Sequence, residues 1–234
     1  MKRLFKIIFI KIPLAFILLS ITIVVLLKWM PVAFTPLMLK RAIEFRDDKA
    51  YRTHKKWVSL KKISPEMAKA VIASEDNRFN EHSGFDFEEL KRMHKEHIEK
   101  GKKLRGCSTI SQQTAKNCFT WCSDTWVRKG FEAYWTVLIE LIWGKERIME
   151  VYLNVIETGK GVYGVQAAAD KYFGKDAAAL TRREAAAIAV CLPSPLKRDP
   201  AHPTDYIRSR TSAISSLIPK ISYPEWVENK QVKE

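Results

Sequence analysis

The chain has 234 residues, 47% hydrophobic and 28% charged, which allows one good core plus extensions and excludes a second full domain. Its 40 Lys and Arg against 26 Asp and Glu leave a net charge of +14. That balance calls for an anionic partner: nucleic acid, an anionic membrane surface or a phosphate-bearing substrate.

Lys2, Arg3, Lys6 and Lys11 precede an uncharged run from Ile12 to Leu27, which Lys28 closes. With Phe5 to Ile10 added, the segment reaches the ~20 residues needed to span a bilayer. Residues 1–30 therefore read as a cytoplasmic N-terminus and one transmembrane anchor. No small-x-small cleavage site follows Leu27, which argues against a removable signal. The positive cluster predicts a cytoplasmic N-terminus and an external, periplasmic domain in the plasma (inner) membrane. Such an arrangement argues against nucleic acid as the partner. Residues 31–49 read as a membrane-proximal linker, and Ser59-Leu60-Lys61-Lys62 is a chance S-x-x-K match, since no K-T-G follows.

Ser64-Pro65 predicts a helix start, and Met67, Val71 and Glu75 recur every four residues on one face. A carboxylate at the end of an apolar stripe is partly desolvated, which suits it to take a proton. The competing reading is a helix-end Glu turned to water. The next residues, SEDNRFNEHSGFD at 74–86, gather Glu75, Asp76, Glu81, His82 and Asp86 around Phe79 and Phe85, which a solvated turn does not need. His94 and His97 lack the H-E-x-x-H pattern and read as surface residues. Lys91, Arg92, Lys95, Lys102, Lys103 and Arg105 follow, with Gly101 marking a basic loop.

In RGCSTISQQTAKN, residues 105–117, Thr109 and Gln112 fit a T-x-x-Q capping box. Ser108 and Thr109 hydroxyls, free helix-start amides and Lys116 one turn on also describe a phosphate cradle, with Gln113 and Asn117 on a common face. The four cysteines, at 107, 118, 122 and 191, read as small buried hydrophobes, with one bridge as the alternative. From 128 onward Phe131, Tyr134, Trp135, Leu138, Leu141 and Ile142 repeat with helical period, while Arg128, Lys129 and Glu132 share another face. Glu132 is either one half of a surface ion pair or a second active-site acid flanked by phosphate-binding cations. Gly159-x-Gly161-x-x-Gly164 follows a helical pattern and reads as a tight loop. Thr181 and Glu184 form a T-x-x-E capping box, and Pro193 ends that helix. Thr211 to Ile218 reads as a last packing helix and residues 219–234 as a tail. With no alternating strand run, the fold class is mainly α.

Three stretches together carry a resemblance. Glu75-Asp76-x-x-Phe79-x-x-His82-x-Gly84-x-Asp86, then Gly106-x-Ser108-Thr109-Ile110-x-Gln112-Gln113-x-x-Lys116-Asn117, then Arg128-Lys129-x-x-Glu132 resemble the motifs of family 51 peptidoglycan glycosyltransferases. The run from Lys145 to Lys175 and LPSP at 192–195 are similar to the fourth and fifth motifs, so the resemblance spans residues 50–218. Length and the single anchor look like the monofunctional members.

The resemblance implies a lysozyme-like helical domain at 50–218 with a small membrane-proximal jaw, expected to include part of residues 101–122. It also implies polymerisation of lipid II, or of a growing glycan-lipid diphosphate, into β-1,4-linked strands. Glu75 is then the general base, Glu132 positions the donor or a divalent ion, and Ser108, Thr109, Gln113, Lys116, Arg128 and Lys129 contact donor phosphates and sugars. Asp76, Phe79 and His82 shape the base's surroundings; Gln112 and Asn117 complete the expected binding set. No cofactor is obligatory, and Mg or Mn at the donor pyrophosphate fits the scheme. Other cell-wall synthesis or division proteins are the expected partners beside the substrate and the bilayer. Cys107 and Asp124 depart from the family pattern, which more often has a small residue and an arginine there. The rival readings are a lysozyme-like hydrolase or lytic transglycosylase, which would not need the cations around the second acid, and an inactive membrane-tethered scaffold.

Overall fold

The structure is a computed structural model that describes residues 7–101, 108–123 and 125–228. Helix α1, Ile7–Leu27, is long and apolar enough to cross a membrane, with most of its surface exposed. One side of it docks on the body. Phe16 packs edge-on against Phe131 and Trp135 and tilts on Tyr134. Ser20 Oγ is hydrogen-bonded to the Tyr134 hydroxyl, and Trp143 Nε1 donates to the Val24 carbonyl at 2.7 Å.

Residues 31–49, expected as a linker, instead contain helix α2, Pro36–Glu44, capped by the Thr35 side chain. Thr35-Pro36 supplies an N-cap followed by proline in the first turn, and Arg41 clamps the helix to Glu157 through Nε–Oε1 at 2.9 Å. Strand β1, His54–Lys55, and a 3₁₀ turn at Leu60–Lys62 lead into α3, Pro65–Glu75. The predicted stripe is present: Met67 and Val71 are fully buried, and Glu75 ends the helix partly buried. Asp86 caps α4, Phe87–Lys100, by accepting from Glu89 N at 2.8 Å, and Gly101 ends it in the left-handed region. His94 and His97 are exposed on this helix.

Helix α5, Ile110–Phe119, opens with the expected capping box, in which Thr109 and Gln112 satisfy each other's backbone amides. It packs against both α6, Trp126–Ile142, and α7, Gly144–Val155. Ile110, Ser111, Thr114 and Ala115 are buried in these contacts. The α5–α6 seam is closed by Phe119 stacked on Trp135 at 4.4 Å. Strands β2, Glu157–Gly159, and β3, Val162–Tyr163, form an antiparallel hairpin, and β1 adds parallel to β3, giving the order β1-β3-β2. The glycine-rich segment is thus a turn: Gly161 has φ +71°, and a Cβ there would meet the Arg52 carbonyl oxygen at 2.2 Å.

Helices α8, Val165–Phe173, α9, Arg182–Cys191, and α10, Asp205–Leu217, complete the body. The Thr181–Glu184 capping box starts α9, as its spacing predicts. α10 begins six residues before the expected Thr211, because Thr204 caps it by accepting from Ile207 N at 3.4 Å. The expected tail is docked as far as it is described. Short helix α11, Glu225–Glu228, packs on α3 with Val227 buried, and the Tyr223 hydroxyl donates to the Ile218 carbonyl at 2.9 Å.

The core runs through the centre of this helical array, with Met67 and Ile72 of α3, Ile110 of α5, Ile139 of α6, Ile148, Met149 and Tyr152 of α7 and Ile188 of α9 all buried. Each large apolar side chain removed from water contributes about 1.5–3 kcal/mol. Ala68 and Ala70 on α3 and Ala185, Ala186 and Ala189 on α9 are buried too, which lets those two helices lie close. No disulfide forms among Cys118, Cys122 and Cys191; Cys191 is buried and Cys122 exposed. Cys107 and Asp124 lie outside the described residues, as do Lys102, Lys103 and Arg105.

Candidate active site

The 74–86 stretch divides into Glu75, which is bonded to Gln113 of a neighbouring cleft, and several groups that tie the surrounding backbone together. Asp76 is one of these ties. Its Oδ1 is hydrogen-bonded to His82 Nε2 at 2.9 Å, and its Oδ2 accepts from the Ile110 amide at 3.0 Å. One buried carboxylate thereby ties the end of α3 to the start of α5. Thr109 adds a second tie, its hydroxyl donating to the Gly84 carbonyl at 2.6 Å. Gly84 sits at φ +92°, and a Cβ would lie 2.7 Å from Thr136 Cγ2, so both backbone and packing require glycine there. Phe79 is fully buried under the Lys145 ammonium, which lies 4.4 Å from the ring centre.

Of the expected binding set, Asp76, Phe79, Thr109 and Gln112 are buried, as is the His82 side chain, and Asp76, His82, Thr109 and Gln112 form hydrogen bonds within the protein. Asp86, with Arg78 Nη1 at 3.1 Å, is the α4 cap.

Glu75 ends α3 with its carboxylate held by two neighbours. Gln113 Nε2 donates to its Oε2 at 3.1 Å, and the Ser74 hydroxyl lies 3.5 Å from Oε1. Burial pushes the Glu75 carboxyl above the usual range; the Gln113 and Ser74 hydrogen bonds and the positive charge of Arg198 pull it back in part, while the nearby Asp76 charge adds to the rise. A carboxylate in that condition is a competent proton acceptor. Gln113 is itself oriented by the Tyr152 hydroxyl, which donates to its Oε1 at 3.1 Å. Burial raises the Tyr152 phenol well above its ordinary value, so it stays protonated as the donor.

Gln113 and Tyr152 line a cleft of about 350 Å³ that also takes in Lys40, Arg41, Lys116, Asn117 and Arg128. Pro193 and Pro195 of the expected fifth motif form part of its rim. Lys116 and Lys40 are exposed and make no ion pair among the described residues. Arg128 Nη1 lies 2.5 Å from Glu132 Oε2, and Lys129 holds the other carboxylate oxygen. Glu132 is only 2% exposed, so neither expected reading survives unchanged. It is a buried ion pair, not a surface one, and its oxygens are occupied by the two cations they orient. Ser108 meets the site through its carbonyl, which accepts from Gln113 Nε2 at 3.3 Å.

Lys40, Arg41, Glu157 and Tyr152 were not among the expected site residues. Arg41 and Lys40 ride on α2, whose Thr35-Pro36 start is the signal that would have found it. Glu157 and Tyr152 lie in the run from Lys145 to Lys175 that is similar to the fourth motif, and the fold brings them to the cleft.

A mainly helical body with a partly desolvated glutamate bonded to the wall of a cationic cleft, and an apolar N-terminal helix docked on it, fits a glycosyl-transfer enzyme. The chain belongs to the Transglycosylase family, whose pattern matches residues 41–218. It is 52% identical over 218 residues to a biosynthetic peptidoglycan transglycosylase of Bacteroides thetaiotaomicron, covering 91% of this chain and 86% of that one. A protein of the same description from Caulobacter vibrioides is 51% identical over 191 residues, covering 82% of this chain and 81% of that one. One from Bdellovibrio bacteriovorus is 46% identical over 210 residues, covering 89% and 84%. The family match begins nine residues before the expected 50, which brings Arg41 of α2 within it.

Proposed function

We propose that this chain, a peptidoglycan glycosyltransferase, polymerises lipid II with Glu75 as the general base. The observation that carries the proposal is the bond from Gln113 to Glu75, which joins a buried carboxylate to the wall of a cleft containing Lys116 and Arg128. The 4-hydroxyl of the acceptor sugar loses its proton to Glu75 as its oxygen attacks the anomeric carbon of the growing chain. The bond to the undecaprenyl diphosphate breaks with inversion, giving a β-1,4 link. Charge on the departing diphosphate grows in the transition state, and fixed cations placed there lower the barrier. Lys116, exposed and unpaired among the described residues, and Arg128, held rigid by Glu132, are the groups placed to receive it.

Glu132 therefore acts through Arg128 and Lys129. It was also the expected ligand of a divalent ion, and with both oxygens engaged it does not fit that role. Among the described residues, the ligand atoms of Asp76, His82 and Asp86 lie close enough to hold a metal, but the two carboxylates already bond His82, the Ile110 amide, Arg78 and the Glu89 amide. An ion taking part would be carried by the diphosphate oxygens.

The anchor completes the reading. α1 crosses the bilayer with its N-terminus in the cytoplasm, and the helix it docks on, α6, carries Arg128, Lys129 and Glu132. Exposed Trp29, Met30, Phe34, Leu39 and Ile43 follow the anchor and rest at the membrane surface, where the donor's lipid tail stays. The test is to incubate the detergent-solubilised chain with labelled lipid II, with and without Mg²⁺. Muramidase-sensitive polymer supports the reading; shortening of preformed strands without polymer would replace it with lytic cleavage.

A further inference from the structure

The loop after α9 brings Arg198 to the end of the site. Helices α3 and α9 lie side by side with their N-termini together, since Arg182 in the first turn of α9 pairs with Glu66 in the first turn of α3 at 2.6 Å. α3 ends at Glu75 and α9 at Cys191, so both C-termini close on the same side. There Arg198 Nη1 donates to the Val190 carbonyl at 2.6 Å, satisfying an acceptor that a helix C-terminus leaves open. Its guanidinium lies 5.1 Å from the centre of the Tyr206 ring. The loop itself is braced: Ser194 N donates to the Cys191 carbonyl and Arg198 N to the Ser194 carbonyl, each at 3.0 Å. The same loop presents Pro193 and Pro195 to the cleft. Arg198 is partly buried and pairs with no carboxylate among the described residues.

We propose that Arg198 is a positioning residue for the base: fixed on the C-terminus of α9, it sets a positive charge beside the end of α3 that keeps the Glu75 carboxylate ionised and ready to take the acceptor proton. The proposal rests on the reading of Glu75 as base. The other groups facing Glu75 are Gln113 from α5 and Tyr152 from α7, both uncharged, with Ser74 and Asp76 from its own chain segment. Asp76 works in the opposite direction, and its oxygens are turned to His82 and the Ile110 amide. Arg198 is then the cation that offsets desolvation of Glu75. Removing it leaves burial less opposed, so protonated Glu75 persists to higher pH.

The test is the pH dependence of kcat for polymerisation of labelled lipid II by the full chain. In Arg198→Gln, whose amide can still donate to Val190, the acid limb moves to higher pH. The variant loses roughly 5- to 10-fold at about pH 6 and recovers most of the rate near pH 8.5. Arg198→Lys keeps the charge and the wild-type limb. An equal loss at every pH, or an unchanged profile, would overturn the proposal. If Arg198→Gln melts below the assay temperature, Tyr206→Leu gives the second measurement. It frees the guanidinium from its ring, and the same low-pH loss is expected, a flat loss again overturning the proposal. Glu75→Gln separates the two claims: activity with an unmoved acid limb removes the base assignment itself, whereas an inactive Glu75→Gln beside a flat Arg198→Gln profile removes only the role of Arg198.

Discussion

Gln113 joins Glu75 to Tyr152: one end of its amide donates to the carboxylate and the other accepts from the phenol, each at 3.1 Å. Because the buried phenol must donate, the amide oxygen faces it and the nitrogen faces Glu75, so the orientation of the Glu75 carboxylate is fixed from α7 through α5.

Gln113→Leu removes the donor and leaves Glu75 harder to ionise. A hydrogen bond to a charged group is worth about 1.5–3 kcal/mol, so kcat/KM should fall by roughly 10- to 100-fold. The loss should be steepest at low pH, and Tyr152→Phe should give a smaller loss, since it only frees the amide to turn. Both are read from pH–rate profiles.

Burial of Glu75 also has a stability signature. Its folded pKa is raised, so below the ordinary carboxylate value both folded and unfolded states are protonated and the side chain costs nothing extra. As pH rises through the folded pKa, the buried charge lowers stability. Glu75→Gln should therefore melt higher than wild type at neutral pH, with the gap closing toward about pH 4. Melting curves across that range check the sign.

Glu132→Gln leaves Arg128 and Lys129 without their shared carboxylate. Removing one partner of a buried pair costs about 3–5 kcal/mol, and partial exposure of Lys129 places this case at the lower end. Donor affinity should fall as well, because Arg128 loses its fixed direction. Denaturant unfolding and a donor-binding titration measure the two effects.

Lys116→Ala removes an exposed side chain that pairs with nothing else described, so the melting temperature should hold. The affinity for the diphosphate donor should drop roughly 10-fold or more. Unchanged affinity would remove Lys116 from the phosphate site.

Local grammar made the helices legible. Ser64-Pro65 with Met67, Val71 and Glu75 located α3, and the spacings at 109–112 and 181–184 located two capping boxes that the structure contains. The motif order led to the family. What spacing could not show is which distant group consumes a polar side chain. Thr109 and Asp76 look like ligand contacts in the sequence, yet their partners, the Gly84 carbonyl and the Ile110 amide, lie 25 and 34 residues away. Arg198 was invisible for the same reason, since its meaning comes from two parallel helices ending together. α2 was missed although Thr35-Pro36 announced it, because nine residues are too few for a helical period to stand out.

The most direct test of the account compares wild type with Glu75→Gln in lipid II polymerisation, with donor binding and melting measured on the same preparations. The account predicts muramidase-sensitive strands from wild type and none from the variant, which should still fold and bind donor. Strands formed by Glu75→Gln at a rate near wild type would contradict it.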